Sequence, residues 1–74
     1  MYVISQDKKR IMQYDGAQCI EDKASYPAQT YLMIFSDGGP QIMGAYESMS
    51  RAKNILMEIA HQAESGRDFY YMPD

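Results

Sequence analysis

Residues 30–46 read TYLMIFSDGGPQIMGAY, and this stretch decides the fold. Thr30 to Phe35 is a run of strand formers, apolar on both faces. Ser36-Asp37-Gly38-Gly39-Pro40 then supplies residues that tolerate positive φ, followed by one whose φ is fixed. Gln41 to Tyr46 returns as the partner strand, and so short a connection requires antiparallel pairing. The glycines lead into Pro40 and a strand rather than into a Lys, a Ser or Thr and a helix. They therefore read as a hairpin turn and not as a phosphate cradle.

Beyond the hairpin the apolar period lengthens from two to about 3.6. Ala52, Ile55, Leu56, Ile59, Ala60 and Ala63 form one stripe, with Lys53, Asn54, Glu58, His61, Gln62 and Glu64 on the remaining surface. Ser48 is the natural N-cap and Gly66 the natural left-handed stop, which predicts a helix over 48–65. The last residues, RDFYYMPD, are aromatic where a free terminus is usually polar. As an extended segment they place Phe69 and Tyr71 on one side and Tyr70 and Met72 on the other, until Pro73 removes a donor. Such a tail either folds back to seal the chain's own sheet or pairs with a second copy or a partner.

Toward the N-terminus, Tyr2-Val3-Ile4-Ser5 and Arg10-Ile11-Met12-Gln13-Tyr14 are short β-prone runs. The polar turn Gln6-Asp7-Lys8-Lys9 separates them, and Asp15-Gly16 stops the second. Ala17 to Glu21 alternates weakly, with Ala17 and Cys19 on one face and Ile20 on the other. A loop at 22–25 follows, and Pro27 delays the next strand. The expectation is one α+β domain over 1–74: a small, mostly antiparallel β-meander of about four strands, a C-terminal amphipathic helix at 48–65 and a short extended tail.

The opening VISQDK (residues 3–8), the run from Leu32 to Tyr46 into YESMSRAKNILMEI (46–59), and the closing YYMP (70–73) occur in that order. In this the chain resembles a group of small uncharacterised proteins of Gram-positive bacteria and their phages or mobile elements. The resemblance covers most of the chain and implies the same topology, with the YYMP tail as part of the design. The helix in that group often opens Ser-x-x-Glu; Arg51 stands in the place of that Glu, which weakens the capping box. No activity is assigned to the group, so the resemblance carries over no catalytic or binding residue.

Composition narrows the function classes. The chain has 74 residues, 46% of them hydrophobic, and a net charge of −3, so it is long enough for one small core and acidic overall. Seven Tyr and seven Met make that core adaptable rather than rigid. Acidity argues against nucleic-acid binding; Lys8-Lys9-Arg10 is the one basic cluster, with Tyr2 and Tyr14 as its nearest aromatics. No apolar run approaches the ~20 residues of a membrane span. The N-terminus also lacks the order of a signal peptide, so a cytoplasmic location is expected.

Catalytic, cofactor and metal sites are not expected. Cys19 and His61 are the sole residues of their kinds. They could form a thiolate–imidazole pair, although a lone Cys usually packs as a small hydrophobe and a helix-surface His is usually solvated. They cannot by themselves close a zinc site. Because one helix covers only one side of a strand apolar on both, the other side, either Tyr31, Met33 and Phe35 or else Leu32 and Ile34, needs a cover. Tyr31, Met33, Phe35, Phe69, Tyr70 and Tyr71 are the candidate interaction residues. The expected function is a non-enzymatic module that self-associates, or binds another protein, through that face and the aromatic tail. The alternative is a small-ligand or peptide-binding domain with a Met-lined pocket between sheet and helix.

Overall fold

The computed structural model describes residues 1–24 and 26–74; Ser25, the end of the expected 22–25 loop, lies outside the described residues. The elements run β1 (Tyr2–Ile4), β2 (Ile11–Gln13), β3 (Gly16–Asp22), β4 (Gln29–Phe35), β5 (Gln41–Tyr46), α1 (Met49–Glu64) and β6 (Phe69–Tyr71). Among the described residues the architecture is α+β, with one helix and two three-stranded sheets ordered β2-β1-β6 and β3-β4-β5. Every pairing is antiparallel except β1 with β6, which is parallel. Six strands in two sheets thus replace the expected meander of about four. Strand propensity reports which segments extend, but not which long-range partner each finds.

The hairpin forms as its residues require. Gly39 takes φ 98° and donates its N–H to the Ser36 carbonyl at 2.9 Å, closing the turn between β4 and β5. Farther along, Leu32 pairs with Gly44 but Met33 pairs with Ile42, so Met43 is an extra residue in β5. The bulge lets both Met43 and Gly44 turn inward. Gly44 is required there: a Cβ would lie 2.8 Å from Cε2 and 2.9 Å from Oη of Tyr46, and 3.0 Å from Cε of Met72.

Ser48 caps α1, its Oγ accepting from the Arg51 N–H at 3.1 Å. At the other end Gly66, at φ 79°, donates to Ala63 and Arg67 donates to Gln62, both at 3.2 Å. These two bonds close the helix in a Schellman motif. Between the caps, Ala52, Ile55 and Ile59 are buried, and α1 packs on β3, β4 and β5.

The helix settles which face of β4 is the inner one. Thr30, Leu32 and Ile34 are buried, with the two aliphatic side chains fully so, and Tyr31, Met33 and Phe35 are half-buried on the opposite face. Val3 from β1, and Tyr70 and Met72 from the tail, join the same core. The tail is therefore a strand of the chain's own N-terminal sheet. Tyr2 donates to the Asp68 carbonyl at 2.8 Å, and Met72 donates to the Ile4 carbonyl at 3.0 Å. No helix among the described residues is long and apolar enough to cross a membrane.

Candidate interaction surface

Strand register builds the surface. On β1, Tyr2 stands between Gln13 of β2 and Phe69 of β6, and Ile4 stands between Ile11 and Tyr71. Since side chains alternate, these two rows share the outer face of the sheet while Val3, Met12 and Tyr70 share the inner one. Tyr2 is 47% exposed, Ile11 57%, Phe69 53% and Tyr71 65%. The Tyr2 and Phe69 rings stack with centroids 6.0 Å apart and planes at 29°. Four large apolar side chains thus meet solvent side by side.

The six residues expected to form one interaction surface divide three ways. Phe69 and Tyr71 lie on the outer face of β2-β1-β6. Tyr31, Met33 and Phe35 lie on the outer face of the other sheet, where Ile20 pairs with Tyr31 and Ile42 with Met33. Ile20 is 39% exposed and Ile42 47%, so this face too has apolar groups in solvent. Tyr70 is only 6% exposed and belongs to the core. Its hydroxyl donates to the Glu58 carboxylate at 2.8 Å. Burial, then the Glu58 hydrogen bond and charge, raise the Tyr70 phenol far above its ordinary range.

The residues beyond β6 are clasped from two sides. Tyr46 donates its hydroxyl to the Pro73 carbonyl at 2.8 Å, and Arg51 donates to the Asp74 carbonyl at 2.6 Å. The Arg51 guanidinium also lies 5.4 Å from the centroid of the Tyr46 ring, a cation–π contact. Burial pushes the Tyr46 phenol up to about 12, with the Arg51 charge opposing that shift and Asp74 adding to it. Lys8 reaches the Asp74 side chain at 3.4 Å. Arg51, which occupies the capping-box position without its carboxylate, serves the tail instead.

The β1–β2 turn and the β5 edge are also tied down. Ser5 donates its hydroxyl to Asp7 and accepts from the Arg10 N–H at 3.0 Å. The Ser5 bond, followed by the Lys9 N–H, holds the Asp7 carboxyl below its usual range. Gln6 closes the open side of β5: its amide donates to the Ala45 carbonyl at 3.1 Å and accepts from the Ala45 N–H at 2.9 Å. The Gln6 backbone N–H adds a bond to Met43 at 2.8 Å.

Cys19 pairs with Leu32 on the inner face of β3, half-buried, and burial pushes its thiol up. His61 is exposed in the last turn of α1, and no hydrogen bond joins the two among the described residues. No cluster of His, Cys, Asp and Glu suited to a metal ion occurs among the described residues. The space between α1 and its sheet is filled by Leu32, Ile34, Ala52, Ile55 and Ile59. A groove of about 460 Å³ lies outside that core, between Pro73 and the α1 residues Arg51, Asn54 and Glu58.

Sequence reasoning missed Tyr2, Ile4 and Ile11 as surface residues. Their signal was present: Tyr2 and Ile4 alternate in step with Phe69 and Tyr71, but only the parallel pairing joins the two sets. Compared with known proteins, the chain matches no family model, no curated protein and no solved structure.

Proposed function

We propose that the chain is a non-enzymatic protein-interaction module that self-associates through the aromatic outer face of β2-β1-β6, with Phe69 and Tyr71 at its centre. The observation that supports this reading is the adjacency of Tyr2, Ile11, Phe69 and Tyr71, each about half exposed or more. A contiguous apolar patch of that kind gains free energy when a second surface excludes its water, and Tyr and Phe are favoured at interface centres. The face formed by Tyr31, Met33 and Phe35 offers a second apolar surface of the same character. A bacterial or phage setting, in the cytoplasm, belongs to the same proposal through the resemblance of VISQDK and YYMP.

Solution mass tests it. Light scattering on the full chain up to roughly 1 mM is expected to show a dimer or higher species. A Phe69→Ser, Tyr71→Ser double variant should shift toward monomer while keeping its circular dichroism. A wild-type protein that stays monomeric throughout overturns the proposal.

A further inference from the structure

We infer that the open edge of β6 pairs with the same edge of a second copy, antiparallel, about a twofold axis through Tyr70. This rests on the self-association proposed above and adds an edge contact to it. β6 is the last strand in the order β2-β1-β6, so one of its edges has no strand neighbour among the described residues. Its bonds to β1 run through the Asp68 carbonyl and the Met72 N–H. Backbone groups alternate sides along a strand, so Asp68, Tyr70 and Met72 look toward β1 while Phe69 and Tyr71 look outward. Two N–H groups and two carbonyls are thus presented two residues apart.

That spacing is self-complementary. With Tyr70 set against Tyr70 of a second copy, Phe69 faces Tyr71 and Tyr71 faces Phe69. Each facing pair exchanges two N–H···O bonds, giving about four across the axis. A one-residue slip would set Phe69 and Tyr71 against residues whose backbone groups point to their own β1, and the bonds would be lost. Side chains agree with the register: Phe69 of one copy falls beside Tyr71 of the other on the same face, an aromatic cross-strand pair. Both rings are more than half exposed in the single chain and gain cover from the pairing.

Charge selects the antiparallel sense. Arg67 precedes β6 and forms no ion pair among the described residues, and Asp74 follows it. Antiparallel pairing brings each end beside the opposite end of the other copy, so Arg67 approaches Asp74. A parallel pair would set Arg67 against Arg67 and Asp68 against Asp68. The remaining edges are guarded. β5 is closed by Gln6, β3 carries Glu21 and Asp22, and β2 follows directly on Lys8-Lys9-Arg10. β6 carries no charge and no proline within its span, and Pro73 ends the ladder just beyond it.

The test compares Tyr71→Pro with Tyr71→Thr in the full chain. Both remove the ring, but only proline removes the outward N–H, and it leaves the bonds to β1 intact. Sedimentation equilibrium should show Tyr71→Thr weakening the dimer by roughly tenfold and Tyr71→Pro by roughly a hundredfold or more. Hydrogen exchange on the wild type supplies a second reading that needs no variant. The Phe69 and Tyr71 amides should exchange more slowly as concentration drives association. Proline no worse than threonine, or exchange at these amides that ignores concentration in a dimeric sample, overturns edge pairing and leaves association through the face standing. A wild-type chain monomeric at every concentration overturns both.

Discussion

β4 and β6 carry the same kind of sequence and meet different fates. Both are apolar on two faces and alternate strictly, yet β4 is a seven-residue central strand and β6 a three-residue edge. Leu32 and Ile34 are fully buried against α1, and the opposite side chains of β4 are still half-covered by neighbouring strands. In β6, Tyr70 reaches the core but Phe69 and Tyr71 stand in solvent, because among the described residues β1 is the one strand paired with it. Position in the sheet, rather than hydrophobicity, decides what an apolar side chain is free to do. The interior strand uses its apolar groups for stability, while the edge strand keeps two of its three available.

The sharpest way to break this comparison is within β4. Leu32→Ala should cost about 2–5 kcal/mol, whereas Met33→Ala, one residue away on the outer face, should cost about 1 kcal/mol or less. Urea unfolding of both variants checks it, and equal losses would mean that the two faces are equally enclosed.

The next effect probes how the core grips the tail. The Tyr46 phenol rises from its ordinary value of 10 to about 12, and Tyr70 moves in the same direction. A raised pKa means that the folded state holds the proton more tightly than the unfolded chain. The stabilisation is therefore complete below pH 10 and lost as pH climbs toward 12. Alkaline unfolding should fall in that window. Tyr46→Phe, which gives up the Pro73 bond and about 1 kcal/mol at neutral pH, should show a flatter decline there.

The smallest effect sharpens the edge side. Phe69→Ser and Tyr71→Ser, measured in dilute samples, should each change stability by less than about 1 kcal/mol. Tyr70→Ala between them should cost about 3 kcal/mol or more. Thermal unfolding would separate the three, and a large loss at Phe69 or Tyr71 would make β6 an interior strand in all but name.

These contrasts also show why part of the structure was legible in the chain. The turn at Ser36–Pro40, the cap at Ser48 and the stop at Gly66 are local, and each appears where its residue type requires. The in–out alternation of Phe69, Tyr70, Tyr71 and Met72 was legible for the same reason. Pairing was not. That β1 should take β6 as a parallel neighbour depends on where α1 returns the chain, and no local propensity encodes that return. The bulge at Met43 was hidden too. Only the nearness of the Tyr46 ring and the Met72 side chain explains why a glycine follows it. Arg51 read as a defect in a cap, because its partners, the Tyr46 ring and the Asp74 carbonyl, come from separate parts of the sequence.

The parallel contact of Tyr2 with Phe69 joins opposite ends of a 74-residue sequence. During synthesis, β1 has one side unpaired until β6 emerges, and β6 follows β3, β4, β5 and α1 in the chain. For that interval both Val3 and the socket for Met72 lack their cover, which leaves the nascent chain open to mispairing until β6 arrives.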